Sequence, residues 1–215
     1  MAKPVKRQPR SYDASGRQAQ AKETRARVLD AARSRFLAHG YAATTIPTIA
    51  QDAHVSVETV YKAFGNKPGL LKAVFDVAIV GDDEPVPLLD REAVKANQAE
   101  PDPRKKLRMY GEFYVKGAAR AVPIQLLARD AARSDPAAAA IWQQMLDERL
   151  TGMTHFAKHL HDGGHLRAGM TVNEARDVLW TFNSAELWEL LVMTRGWTAK
   201  RFGRWIGDML VAALL

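Results

Sequence analysis

Two helix-forming segments of about two turns each, set about three residues apart, constrain the fold of this chain more than any other feature. Residues 45–53 open on Thr45 as a side-chain cap, carry Pro47 in the first turn where a missing N–H costs nothing, and place Ile46, Ile49 and Ala50 on one face. After a turn at His54-Val55, Ser56 caps a second segment to Phe64, with Val60 and Phe64 inward at i and i+4. Helices this short are marginal alone in water, so both need a scaffold. The flanks supply one. From Arg17 to about His39 the pattern is helical, with Val28 beside Leu29, Ala32 and Phe36, and Gly40 as the stop. Gly65-Asn66 breaks the chain again, and residues 67–80 put Leu71, Val74, Phe75 and Ala78 on one stripe. Two short helices joined by a tight turn and held between two longer ones form a helix-turn-helix scheme.

Charge points the same way. Residues 1–80 hold thirteen Lys and Arg against six Asp and Glu, whereas residues 81–215 hold eighteen of each, so the whole excess of +7 lies in the first third. A localised positive excess is the electrostatic footprint of a polyanion, because each phosphate neutralised releases condensed counterions. Residues 1–17, mixing Pro, Gly, Ser and basic side chains, are expected to be a disordered basic arm able to reach an adjacent minor groove.

The residues themselves are more specific. The stretch Thr45-Ile-Pro-Thr-Ile-Ala-Gln-Asp-Ala-His-Val-Ser-Val-Glu-Thr-Val-Tyr-Lys-Ala-Phe64, with Lys67 and Leu70 beyond it, closely resembles the DNA-binding signature of the TetR family of bacterial repressors. The match rests on Thr45, Ile49-Ala50, Ala53, Val55-Ser56, Thr59-Val60-Tyr61, Phe64, Lys67 and Leu70, and extends back through Phe36, His39-Gly40-Tyr41. It departs in the turn, where His54 stands in place of the family's usual glycine. That position favours positive φ, which histidine tolerates better than most side chains.

With Val60 and Phe64 inward, the second helix presents Val57, Glu58, Thr59, Tyr61 and Lys62 to a major groove. Lys62 can meet a phosphate or a guanine, the Val57 and Thr59 methyls a thymine methyl, and Glu58 a cytosine amino group. Thr45, Ser56, Tyr61 and Lys67 are the expected phosphate contacts, and the resemblance implies the same. The expected partner is double-stranded DNA, and the homodimer that the resemblance implies would read a palindromic operator.

The acidic, proline-punctuated run Asp82-Asp83-Glu84-Pro85-Val86-Pro87 marks a joint, so residues 18–80 are read as the DNA-binding domain and 86–215 as a regulatory, ligand-binding and dimerisation domain. Past a short piece around 90–97, helices are expected at 103–121, 123–133, 136–161, 173–195 and 198–214, with no alternating strand pattern. The chain is therefore expected to be all-α. The last two helices are apolar over most of their circumference and call for burial on more than one side. The resemblance implies a homodimer interface there, drawing on Trp180, Leu187, Trp188, Leu191, Phe202, Trp205, Ile206, Met209 and Leu210. It also implies an effector pocket inside the body. Candidate linings are Tyr110, Phe113, Tyr114, Trp142, Met145, Arg149, Trp180 and Asn183, a set suited to a small apolar or aromatic molecule.

Other classes fit less well. There is no cysteine, which removes disulfides and thiolate metal sites and suits a cytoplasmic protein. No apolar run is long enough to span a bilayer, the basic N-terminus lacks the apolar stretch of a signal peptide, and no cofactor is expected. His155 and His159 have the spacing of a metal pair on one helix face, but Phe156 stands where a zinc hydrolase needs glutamate. Phosphate loops, dinucleotide fingerprints and nucleophile elbows are absent, so an enzyme is not expected. The alternatives are a ligand-independent DNA-binding or architectural protein and, more remotely, a metal enzyme built on the histidines.

Overall fold

The computed structural model describes residues 14–215, with side chains from Gly16 onward, and the described part is built from helices without strands. Most of the basic arm lies outside these residues. Its last residues already belong to α1 (Ala14–Ala43), which starts slightly earlier than the sequence pattern suggests. Gly40 interrupts that helix at φ 76°, ψ 173°, the break expected of it.

Helices α2 (Ile46–Asp52), α3 (Val57–Phe64) and α4 (Lys67–Val80) complete the head. Thr45 caps α2 in a reciprocal box with Thr48, and Ser56 Oγ accepts the Thr59 amide at 3.2 Å. Between them His54 takes φ 54°. Val28, Leu29, Ala32, Phe36, Ile49, Val60 and Leu71 close a single core beneath the two short helices.

The body follows a short 3₁₀ turn, Leu88–Asp90, and α5 (Glu92–Ala99). Its central member is α6 (Pro103–Ala131), one continuous helix where two were expected. Pro123 sits inside it rather than at a start. The ring deprives the Ala119 carbonyl of its helical donor, but Ala119 is exposed and water can replace that bond. Meanwhile Ala121, Val122, Ile124 and Leu126 are buried around the proline, and this packing holds the helix together.

Helix α7 (Pro136–Asp162) runs as expected, but the next segment does not. The continuous helix expected over 173–195 is three pieces: α8 (Val172–Phe182), the single turn α9 (Ala185–Trp188) and a π-helical turn, Glu189–Thr194. Ser184 causes the restart by accepting the Leu187 amide, and Arg129 of α6 holds the π turn through both oxygens of Glu189. The chain closes with α10 (Ala199–Leu214), laid on α6. Gly111 faces Gly203 there so closely that a methyl group on Gly111 would lie 2.3 Å from the Gly203 carbonyl oxygen.

Two corrections concern larger units. The core of the head does not stop at the acidic joint, because Ile124, Ala128, Ala138 and Met145 of α6 and α7 belong to it. Of the residues assigned to a dimer interface, Trp188, Phe202, Ile206 and Leu210 are instead buried within the protomer against Leu179, Val122 and Leu160. The apolar circumference of α10 is largely satisfied by α6 and α8. Trp180, Leu187, Leu191, Trp205 and Met209 remain half-exposed, next to exposed Leu190 and Met193.

Candidate nucleic-acid interface and internal cavity

With Val60 fully buried and Phe64 packed beneath the Arg25 guanidinium, 4.6 Å from its ring, α3 turns Glu58, Tyr61 and Lys62 to solvent. These fall at i, i+3 and i+4 and form one stripe, with half-buried Thr59 beside it. Val57 is also half-buried and leans on the head core, so it borders this face rather than standing on it. Tyr61 is 50 % exposed, unusual for so large a ring without a partner. The Glu58 carboxyl is held below its ordinary range by its own backbone amide and by Ser56, so this first-turn residue stays anionic. Thr45 and Ser56 use their hydroxyls as caps, and both lie exposed at helix N-termini.

Lys67 does something other than expected. Its ammonium donates to the Tyr41 and Thr44 carbonyls at 3.0 and 3.1 Å and lies 4.0 Å from the centre of the Tyr41 ring. Gly40 breaks the regular part of α1, and the first residue of α4 ties down the carbonyls just past that break, the Tyr41 one alongside the Thr44 amide. Burial shifts the ammonium downward, consistent with a cation withdrawn from solvent. Other cations of the head are also engaged internally: Arg35 with Asp52, Lys72 with Asp76 and Glu148, Arg25 with Asp83, Lys22 with Glu84. Lys62 therefore contributes more to the outward charge than its place among thirteen basic residues suggests.

A cavity of about 590 Å³ lies between head and body. Tyr110, Phe113, Tyr114, Met145, Arg149 and Asn183, all expected at a pocket, line it together. Trp142 does not, being packed against the head core, and Trp180 stands behind Arg149, whose guanidinium lies 4.3 Å from its ring. The opposite wall comes from α4, through Phe75, Val77, Ile79 and Val80. The rim is the acidic joint, with Val86, Leu88 and Leu89 next to it.

The broken helix builds the polar end of this cavity. At the break, the Asn183 carbonyl accepts from Arg149 Nη1 at 3.2 Å and the Ser184 carbonyl from Tyr114 Oη at 3.3 Å, while Asn183 Nδ2 donates to Tyr110 Oη at 2.6 Å. In a continuous helix the Leu187 amide would have served the Asn183 carbonyl, whereas here Ser184 Oγ takes it. Burial drives the Tyr110 and Tyr114 phenols far above the usual tyrosine range, so both remain neutral donors. Gln125, 6 % exposed, is a lining residue that sequence reading missed. The signal was present as a lone amide inside the apolar run Val122–Leu126.

His159 Nε2 lies 2.6 Å from the buried Lys106 ammonium, and no cluster of three His, Asp or Glu able to hold a metal occurs among the described residues.

Comparison with known proteins locates the head first. Residues 28–74 match the family described as bacterial regulatory proteins, tetR family. The head belongs to that family. A Bacillus subtilis protein described as the uncharacterized HTH-type transcriptional regulator YvkB is 45 % identical over 51 residues, 24 % of this chain and 27 % of that protein. The match thus spans about a quarter of that relative's length. Over nearly the whole chain the fold is shared with solved regulators of low identity. The fatty acid degradation regulator FadR from Bacillus halodurans superposes with a TM-score of 0.70 at 19 % identity, over 89 % of this chain and 96 % of its own. FadR from Bacillus subtilis, solved in complex with stearoyl-CoA, gives 0.68 at 18 %, over 88 % and 99 %. A TetR-family regulator from Syntrophomonas wolfei gives 0.70 at 17 %, over 90 % and 97 %. The all-α plan of a helix-turn-helix head on a helical body is therefore a fold shared with these solved regulators. No helix among the described residues is long and apolar enough to cross a membrane.

Proposed function

We propose that the protein is a homodimeric DNA-binding transcriptional regulator, a repressor released from a palindromic operator when a small molecule enters the cavity. The observation that carries this reading is the double position of α4. Phe75 and Ala78 belong to the head core that fixes α3, and the same helix gives Phe75, Val77, Ile79 and Val80 to the cavity wall. A ligand that binds one placement of α4 better than the other shifts the head by that difference in affinity.

The acidic joint strengthens the linkage. Asp83 and Glu84 line the rim while pairing with Arg25 at 2.7 Å and Lys22 at 2.5 Å on α1. Displacement of the rim therefore acts on the first helix of the head as well as the last. On DNA, α3 enters the major groove with Glu58, Thr59, Tyr61 and Lys62 toward bases and backbone, Val57 at its edge, and Thr45 and Ser56 at phosphates. Lys67 acts indirectly by holding α4 to the end of α1. Two such heads need a two-fold partner, for which Trp180, Leu187, Leu191, Trp205 and Met209 with Leu190 and Met193 form the surface. A cytoplasmic location and the absence of catalysis belong to the same reading.

Selection from a pool of random duplexes tests it. The expected product is a two-fold symmetric site with half-sites about one helical turn apart. Recovery of unrelated sequences without symmetry contradicts a dimeric sequence reader.

A further inference from the structure

Accepting the cavity as an effector site, we infer that it selects a molecule with an apolar body and a single negative charge, a carboxylic acid, anchored through Arg149. The inference begins with the carboxylates and cations on its wall. Asp76 and Glu148 share Lys72, at 2.6 and 2.9 Å. Asp82 is gripped by Arg91 at 2.7 Å, and Asp83 and Glu84 by Arg25 and Lys22. Arg149 is the exception, a permanently charged wall residue with no carboxylate within ion-pair distance. Exposed Glu186 acts on it only through space.

Its donors are also underused. One N–H, on Nη1, reaches the Asn183 carbonyl, and the buried Nε has no partner at all. The planar group is held in place by stacking on Trp180, whose own buried Nε1 is likewise unpartnered. A guanidinium with open donors beside apolar walls leaves unmet the pairing that buried charge requires. A carboxylate matches its fork geometry as no neutral group does. Gln125 and the neutral Tyr110 hydroxyl add hydrogen-bonding groups nearby, and Phe113 with Ile79 and Val80 receives an apolar body. Lys72 sits between two carboxylates, Asp76 and Glu148, so neither of them is free to pair with Arg149.

The test uses three ten-carbon probes differing only at the head: decanoate, decanol and decylamine, titrated calorimetrically at pH 7.5 into the full chain. Decanoate is expected to bind at least tenfold more tightly than either. Arg149→Gln should lose that preference, and Arg149→Lys should keep it at reduced affinity. If Gln at 149 fails to give a cooperative melt, Arg149→Met, which keeps an apolar stem over Trp180, replaces it. Equal binding of all three probes, a preference for the amine, no binding of decanoate at 1 mM, or a preference surviving the neutral variants overturns the inference. A gel shift on DNA upstream of the protein's own gene separates this from the reading beneath it. Intact DNA binding with no acid preference defeats only the ligand class, whereas acid binding without DNA binding defeats the regulator.

Discussion

At position 54 a histidine occupies φ 54°, the only positive φ among the described non-glycine residues. A side chain there carries strain that glycine lacks, offset in part by the larger unfolded-state entropy of glycine. His54→Gly is therefore expected to leave the melting temperature unchanged or raise it, by at most about 1 kcal/mol in stability; a clear fall contradicts the turn assignment. His159 gives a second prediction. Burial, then the Lys106 ammonium at 2.6 Å, holds its imidazole below the ordinary 6.5, with a hydrogen bond to the Gln98 backbone opposing, His165 pushing the same way and Asp162 opposing. As pH falls below 6.5 the unfolded chain takes up a proton that the folded chain refuses, so stability declines until the folded value is reached and then levels. His159→Gln keeps an acceptor for Lys106 and should flatten the thermal-melt profile between pH 7.5 and 5.5. Residue types made α3 and its caps legible, because Thr45, Ser56 and Val60 act locally. Lys67 was not legible, since the carbonyls it serves lie 23 and 26 positions away.

The elements divide along similar lines. Helices α2, α3, α4 and α7 begin at residues whose capping chemistry is local: Thr45, Ser56, Asn66 and Asp135. Pro123 has the local chemistry of a helix start and yet lies in mid-helix, because burial on both sides outweighs one lost bond. The break at 183–184 runs the other way. Asn183 and Ser184 are unremarkable inside an apolar helix until Arg149 and Tyr114, from two other helices, claim their carbonyls. The α6–α10 crossing was equally hidden, since glycine reads as a breaker and not as a contact. There the close approach of Gly111 to Gly203 leaves no room for Cβ against rigid backbone. Gly111→Ala is expected to cost about 1–3 kcal/mol in thermal or urea unfolding. A melting temperature equal to that of the parent contradicts the close crossing.

For the whole molecule, the all-α class and the helix-turn-helix head followed from pattern and motif. The shared core of head and body did not, since no local signal tells which side of α4 meets α6. Most of the cavity residues were identifiable as aromatic and polar side chains on neighbouring helices, but Trp142 and Trp180 have the same composition and face elsewhere. The apolar faces of the last helices were read correctly as needing cover, although much of that cover is internal. Introducing aspartate at both Leu187 and Met209, half-exposed on the proposed two-fold surface, should convert a dimer to a monomer in sedimentation velocity while leaving helical content unchanged. The central claim, that the α3 face reads a specific operator, is tested most directly by competition binding at physiological salt between DNA upstream of the protein's own gene and a scrambled duplex. The account predicts a preference of about 10³ or more for the upstream DNA, largely lost with Tyr61→Ala and Lys62→Ala together. Equal affinity for the two duplexes, or a preference that survives both substitutions, would contradict it.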